Sequence, residues 1–307
     1  MEKTVQRQCE QVEKIEMALL QCTMPNWCRP ANSLPAYPPY HRGPYLEELF
    51  FQKYHQLDTK PEREYIDVFW TNIMCNATKL SQGYPRLQDA LNHLLDPNGS
   101  YFTVCQHDDA PVESLPSDTV IYAAGGKRKL PNIVPIPLVC SEFPNIDCQQ
   151  TKKHLASFVG SNTHEVRAEL AERFGDNPTY HIELKKWTPE VDRFSFELHA
   201  ETSQASRYIL APRGYGPTSF RLYEAIQLGA VPVYITDDFI LPWADELNWN
   251  EFCVLVDIAE ISTLDSTLNG ISEVQYQAMV RAGREAYRTH FALPRVVDRL
   301  LFELSIN

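Results

Sequence analysis

The stretch RYILAPRGYGPTSFRLYEAIQLGAVPVYITDD, Arg207 to Asp238, decides how the chain folds. An apolar run comes first, then a glycine-bearing loop, a helical repeat, and a second apolar run ending in two aspartates. Strand, loop, helix, strand is the repeating unit of a parallel sheet with helices on its faces. The loop, Gly214-Tyr215-Gly216-Pro217-Thr218-Ser219, falls one residue short of the G-x-G-x-x-G phosphate loop of dinucleotide-binding proteins.

Thr218 or Ser219 can cap the helix that follows through a side-chain oxygen. The first N–H groups of that helix, at the positive end of its dipole, then face whatever lies above the sheet. Gly214 and Gly216 permit close backbone approach, while Arg213 and Arg221 bring positive charge to the same end. Amides, hydroxyls and guanidinium groups converging in this way suit a diphosphate. Glu224 follows one and a half turns into the helix, among inward-packing Leu222, Ala225 and Ile226, where it can accept both hydroxyls of an attached ribose. The plain alternative is a glycine turn with a capping Ser219, solvated arginines and an exposed glutamate.

A dinucleotide site needs an acid at the end of the next strand, which Asp237 or Asp238 would supply. Pro217 and Ser219, however, stand in place of the flexible stretch and of the third glycine that lets helix and sheet pack closely. The loop also lies two thirds of the way along the chain, and Arg213 adds a cation where backbone alone normally serves. No Gly-Lys-Ser/Thr follows, which excludes a Walker loop.

Working outward, the same alternation continues. LASFVG, TYHIEL, RYILAP, AVPVYIT and FCVLVD read as strands, separated by the helical patterns THEVRAELAERF, FSFELHAETSQ and SFRLYEAIQL. Two long helices, Ser272 to His290 and Pro294 to Leu304, follow them. Upstream, YIDVFW, YFTVCQH, TVIYAAG and NIVPIPLV read as a second set of strands, with helices from about Pro44 and over LQDALNHLL. The polar stretch 141–153 is the linker candidate between two Rossmann-like halves. Ligands in such folds sit beyond the carboxyl ends of the strands. The first residues carry apolar positions Val5, Cys9, Val12, Ile15 and Leu19 at helical spacing, and a Pro-rich passage follows.

Composition narrows the class. The 307 residues suit two domains, and 44% hydrophobic with 22% charged residues is an ordinary globular balance. A net charge of −12 argues against a nucleic-acid partner. No segment approaches the roughly 20 apolar residues of a membrane span, and the N-terminus is too polar for a signal peptide, so the expected location is cytoplasmic. None of the eight cysteines forms C-x-x-C, and several lie in strands, which suits reduced core residues better than a disulfide framework or a zinc site.

Residues 211–242, APRGYGPTSFRLYEAIQLGAVPVYITDDFILP, resemble the exostosin-type glycosyltransferase domain. The passages at 37–51, 105–116 and 158–167 resemble short, soluble exostosin-like proteins of microbes and large algal viruses. The resemblance implies an α/β GT-B fold: a lead-in helix (1–30), an acceptor-side Rossmann-like domain (31–150), a nucleotide-sugar domain (151–290) and a final helix (291–307) crossing back onto the first. It implies a UDP-sugar donor and a glycan acceptor. Arg213, Tyr215, Thr218, Ser219 and Arg221 would then serve the diphosphate and Glu224 the ribose, with Asp238 near the donor sugar.

In that frame VCQHDDAP places His107, Asp108 and Asp109 after a strand at the cleft, where an inverting transfer needs one base for the acceptor hydroxyl. An aspartate is preferred to the histidine, against the alternative of a simple Asx turn. Arg167, early in the helix after FVGSNT, can reach the departing diphosphate, unless it pairs with a surface acid. Tyr40, His41 and Tyr45 on the proline-stiffened loop offer rings and hydroxyls to a sugar acceptor. No metal is expected: the chain holds no Asp-x-Asp, and neighbouring aspartates on a strand point to opposite faces. The expected activity is an inverting, metal-independent transfer of a sugar, with xylose the choice among possible donors. A non-catalytic glycan- or nucleotide-binding module and a nicotinamide-dependent oxidoreductase are the rival readings.

Overall fold

Apolar runs separated by amphipathic helices build two parallel sheets. The structure, a computed structural model, describes residues 22–30, 46–76, 86–126, 132–140, 142–143, 150–188 and 192–306. The expected N-terminal helix and the loop bearing Tyr40, His41 and Tyr45 lie outside the described residues.

The first half contains α1 (Leu46–His55), β1 (Glu64–Tyr65), α2 (Trp70–Asn76), α3 (Leu87–Leu94), β2 (Tyr101–Cys105), β3 (Thr119–Ala123) and β4 (Ile133–Pro135). Its sheet runs β1-β2-β3-β4, all parallel, with Tyr101 opposite Thr119 and Cys105 opposite Ala123. Every residue of β2 is buried, as a central strand covered on both faces must be. YIDVFW does not run on as one strand. Asp67, inside it, accepts from the Met24 amide and the Arg29 guanidinium, and the chain leaves the sheet and enters α2 at Trp70.

The second half contains β5 (His154–Ser161), α4 (Glu165–Phe174), β6 (Tyr180–Lys185), α5 (Arg193–Gln204), β7 (Ser206–Pro212), α6 (Phe220–Gln227), β8 (Val231–Thr236) and β9 (Val254–Asp257), followed by α7 (Leu264–Gly270), α8 (Glu273–Ala286) and α9 (Leu293–Ile306). The sheet order is β6-β5-β7-β8-β9, again all parallel. Counted from its own first strand this is the doubly wound order 2-1-3-4-5, whose direction of winding reverses between β5 and β7. α8 opens with a capping box between Ser272 and Gln275 and closes through a π turn, Tyr287–Phe291, that aims α9 elsewhere.

α9 crosses back to the first half. Its Val296, Val297, Leu300 and Leu304 enter a core that also holds Phe50 of α1, Phe102 and Tyr122 of the first sheet, and Leu222, Tyr223 and Trp249 of the second half. Each such side chain contributes about 1.5–3 kcal/mol on burial. Lys53 of α1 meets Asp298, and the Trp243 indole donates to Glu303 at 3.0 Å. Phe143, in the expected linker, is itself buried: its amide bonds to Gln227 and its ring stacks on Phe196. The two Rossmann-like halves thus form a GT-B arrangement around a shared core. Within the first half the loops after β2 and β3 nearly touch, since a Cβ on Gly125 would lie 2.0 Å from the Asp108 Cα. No helix among the described residues is long and apolar enough to cross a membrane.

Candidate active site

A cavity of about 390 Å3 opens at the carboxyl ends of β5 and β7, the reversal point of the second sheet. Its second-half wall is built by the 214–216 loop, the start of α6 and Arg167, and its first-half wall by Cys75, His107 and Asp108. This is the place where an open α/β sheet leaves a crevice, because the connections on either side of it depart to opposite faces.

The glycine loop brings the chain from β7 into α6 with Ser219 at the N-cap in an extended conformation, φ −148° and ψ 137°. Against expectation, the Ser219 side chain makes no capping bond. Its hydroxyl is therefore not committed to the helix, and Ser219, Thr218 and Arg221 all line the cavity. The Arg221 Nε donates to the Val159 carbonyl at 2.9 Å and its Nη1 to Glu224, which fixes the guanidinium at the cavity wall.

Glu224 is not at that wall. It is fully buried behind Arg221, with its Oε2 also 3.0 Å from the His199 Nε2, and it is not among the lining residues. The inward apolar neighbours that recommended it as a ribose ligand carry it into the core instead. Burial pushes its carboxyl well above the ordinary range, and burial together with Arg221 pushes His199 well below its own. A neutral His199 and a guanidinium at contact are what keep a carboxylate tolerable there.

Arg167 lines the cavity with 9% of its surface exposed, and among the described residues it forms no ion pair with a surface acid. Its Nε donates to the Arg213 carbonyl at 3.0 Å, its Nη1 to the Ser161 carbonyl at 2.7 Å and its Nη2 to the Pro212 carbonyl at 3.0 Å. The side chain thus ties the ends of β5 and β7 together, with three of a guanidinium's five N–H groups in use. Burial lowers its pKa, followed by the nearby Arg221. Arg213 and Asp238 lie outside the cavity lining. Arg213 is turned onto Asp237, and the Asp238 backbone is engaged with the Thr236 hydroxyl.

On the facing wall, His107 and Asp108 reach the cavity. The turn is held by the ring of His107, whose Nδ1 accepts from the Asp109 amide at 3.2 Å, and Ala110 completes it at φ +54°. Asp109 itself stands at the edge, 3.4 Å from the Tyr215 hydroxyl across the gap. Tyr215 lines the cavity and is 55% exposed. The structure therefore brings Asp108, His107, Tyr215, Thr218, Ser219, Arg221 and Arg167 together.

Residues the sequence did not single out also line the cavity: Cys75, His199, Lys185 and Trp187. The last two lie at and just beyond the carboxyl end of β6, so the strand-end rule applied to every strand would have found them. His199 and Cys75 leave no such signal, since only packing turns them inward. Among the described residues, Cys22, His55 and Asp67 form a group whose ligand atoms lie within 4.8 Å of one another, as a metal would need. None of the three lines the cavity, and Asp67 is already bound by Arg29 at 2.9 Å.

Comparison with known proteins follows the same outline. The model of the exostosin GT47 domain matches residues 117–271. A probable glucuronosyltransferase of Oryza sativa subsp. japonica is 39% identical over 105 residues, 34% of this chain and 22% of its own. A probable beta-1,4-xylosyltransferase of Arabidopsis thaliana is 36% identical over 105 residues, 34% of this chain and 23% of its own. The matched part thus spans about a quarter of these relatives. Among solved structures, TarM aligns over 71% of this chain and 57% of its own with 10% identity and a TM-score of 0.41.

Proposed function

The chain belongs to the exostosin GT47 family, and on that premise we propose that it transfers a sugar from a UDP-sugar to a hydroxyl of a glycan. One observation carries the reading: a single cavity has a helix start with Arg221 and Arg167 on one wall and the Asp108 carboxylate on the other. A diphosphate fits the first wall, where guanidinium groups and helix N–H groups concentrate positive charge. The second wall holds a base facing the sugar end of such a donor.

In this mechanism Asp108 takes the proton of the acceptor hydroxyl as that oxygen attacks the anomeric carbon from the face opposite the diphosphate, giving inversion. Charge building on the departing diphosphate is met by Arg221, by the remaining N–H groups of Arg167, and by the Ser219 hydroxyl and the first amides of α6. These groups allow departure without a divalent cation. Glu224 acts one step back, holding Arg221 in place. Asp109 and Tyr215 close the gap at the rim. Tyr40, His41 and Tyr45 belong to the acceptor side in this scheme.

Xylose is the proposed sugar. The plant relatives are named for glucuronosyl and xylosyl transfer, and a glucuronate carboxylate at the sugar end would stand near Asp108. Like charges at that range disfavour one another, and a neutral pentose avoids the conflict.

The test is a screen of nucleotide sugars for release of UDP, with and without EDTA and with UDP-xylose and UDP-glucuronic acid side by side. Release from UDP-xylose that survives EDTA supports the reading. UDP binding without turnover of any donor would make the protein a binding module, and tight NAD binding with none for UDP would make it an oxidoreductase.

A further inference from the structure

We infer that Trp187 is the platform on which the nucleobase of the donor stacks, so that the nucleotide lies across the sheet edge from α6 to β6 with its sugar toward Asp108. The inference rests on the nucleotide-sugar reading above and deepens it.

Three observations carry it. The cavity wall continues from the end of β7, past the end of β5, to Lys185 at the end of β6 and Trp187 just beyond it. Two strand spacings separate β7 from β6, about 10 Å, a distance commensurate with the reach from a diphosphate to a pyrimidine ring. Trp187 is 59% exposed although it lines the cavity. An indole left uncovered in a concave wall has apolar area to gain from a flat partner.

The other aromatic side chains at the cavity are engaged or sit at the wrong end: Phe158 is buried beneath the Arg167 guanidinium, and Phe220 stands at the start of α6, the diphosphate end. Phe196 is stacked on Phe143 at 5.3 Å with ring planes 7° apart. Tyr215 stands at the carboxylate end, with its hydroxyl on Asp109. With the diphosphate at the α6 start, a base directed toward Asp108 would leave the sugar at the Trp187 end, where the lining carboxylate of Asp192 already accepts from the Ser195 amide and hydroxyl. A base directed toward Trp187 puts each part of the donor against a group of suitable chemistry. Stacking tolerates any base, because every base has a π face.

The test measures binding of UDP and of inorganic pyrophosphate to the wild type, Trp187→Ala and Trp187→Phe, by calorimetry. For the alanine variant the UDP dissociation constant is expected to rise about ten-fold while that of pyrophosphate stays unchanged, and phenylalanine is expected to recover most of the loss. Unchanged UDP affinity in Trp187→Ala, or an equal loss for UDP and pyrophosphate, overturns the stacking role and leaves the nucleotide site standing. A wild type that binds neither compound overturns the nucleotide-sugar reading itself, and the platform with it.

Discussion

Asp108 and Gly216 face each other across the gap between the halves, so closely that a Cβ on Gly216 would come 3.1 Å from the Asp108 Oδ1. The missing side chain sets how the carboxylate is aimed. Gly216→Ala must push Asp108 aside by a few tenths of an ångström. A roughly ten-fold fall in turnover is expected, since misplacement by about 1 Å can cost a hundred-fold, with little change in melting temperature. Full turnover in this variant would remove Asp108 from the reacting centre.

The two neighbouring aspartates separate by role. Asp108→Asn is predicted to lower turnover by about 10²–10⁴, the range of a lost general base, while UDP binding persists. Asp109→Asn disturbs only the rim contact with Tyr215 and is expected to lose less than about ten-fold. Steady-state kinetics on both variants with one donor checks the order, and a reversed order would move the base to Asp109.

Arg167→Lys tests the clamp on β5 and β7. An ammonium cannot satisfy three carbonyls arranged around a planar fork. Leaving buried carbonyls unpaired costs about 1–3 kcal/mol each, so a clear drop in melting temperature should accompany weaker UDP binding. Weaker binding at unchanged melting temperature would show that the guanidinium serves the ligand alone.

Removing Glu224 strands Arg221 and His199. Breaking a buried ion pair costs about 3–5 kcal/mol, and Glu224→Ala is expected to show that loss in denaturant unfolding together with weaker donor binding. If binding fell while stability held, the glutamate would be a direct ribose ligand after all.

His55 gives a dependence on pH. Burial, then Lys60 and Arg29, pushes its pKa down to about 4, and both its ring nitrogens are buried without a hydrogen-bond partner among the described residues. An unfolded histidine takes its proton near 6.5, roughly. Between these values the unfolded chain holds the extra proton, so acidification from about pH 6.5 to 4 lowers stability. His55→Leu lacks that term. Its stability relative to wild type should therefore rise over the same window by on the order of 1 kcal/mol, allowing for partial exposure. A constant difference across the window would contradict the shift.

The strands and helices around Arg207–Asp238 were legible because period and punctuation agreed: apolar runs, glycines, then a 3.6-residue repeat. The cleft followed from topology, which is why Asp108, Ser219 and Arg221 could be placed at its wall. Glu224, Arg213 and Asp238 do not line the cavity, and for the first two the reason is shared. A sequence states that a polar residue follows a strand or sits on a helix, but which way it turns is settled by partners far along the chain, here His199 for Glu224 and Asp237 for Arg213. YIDVFW misled similarly, since the Asp67 that ends it finds its partners at Met24 and Arg29. Trp187 was overlooked because KKWTPE carries no periodic pattern.

The crossing of α9 has a consequence for biosynthesis. Lys53 and the part of α1's apolar surface turned away from the first sheet are covered by residues 293–306. On the ribosome the earlier lobe must therefore wait, incompletely shielded, while some 150 further residues are translated, an interval of about 10–30 s. Nascent chains arrested at residue 290 should be cut near α1 by a protease that spares the released protein.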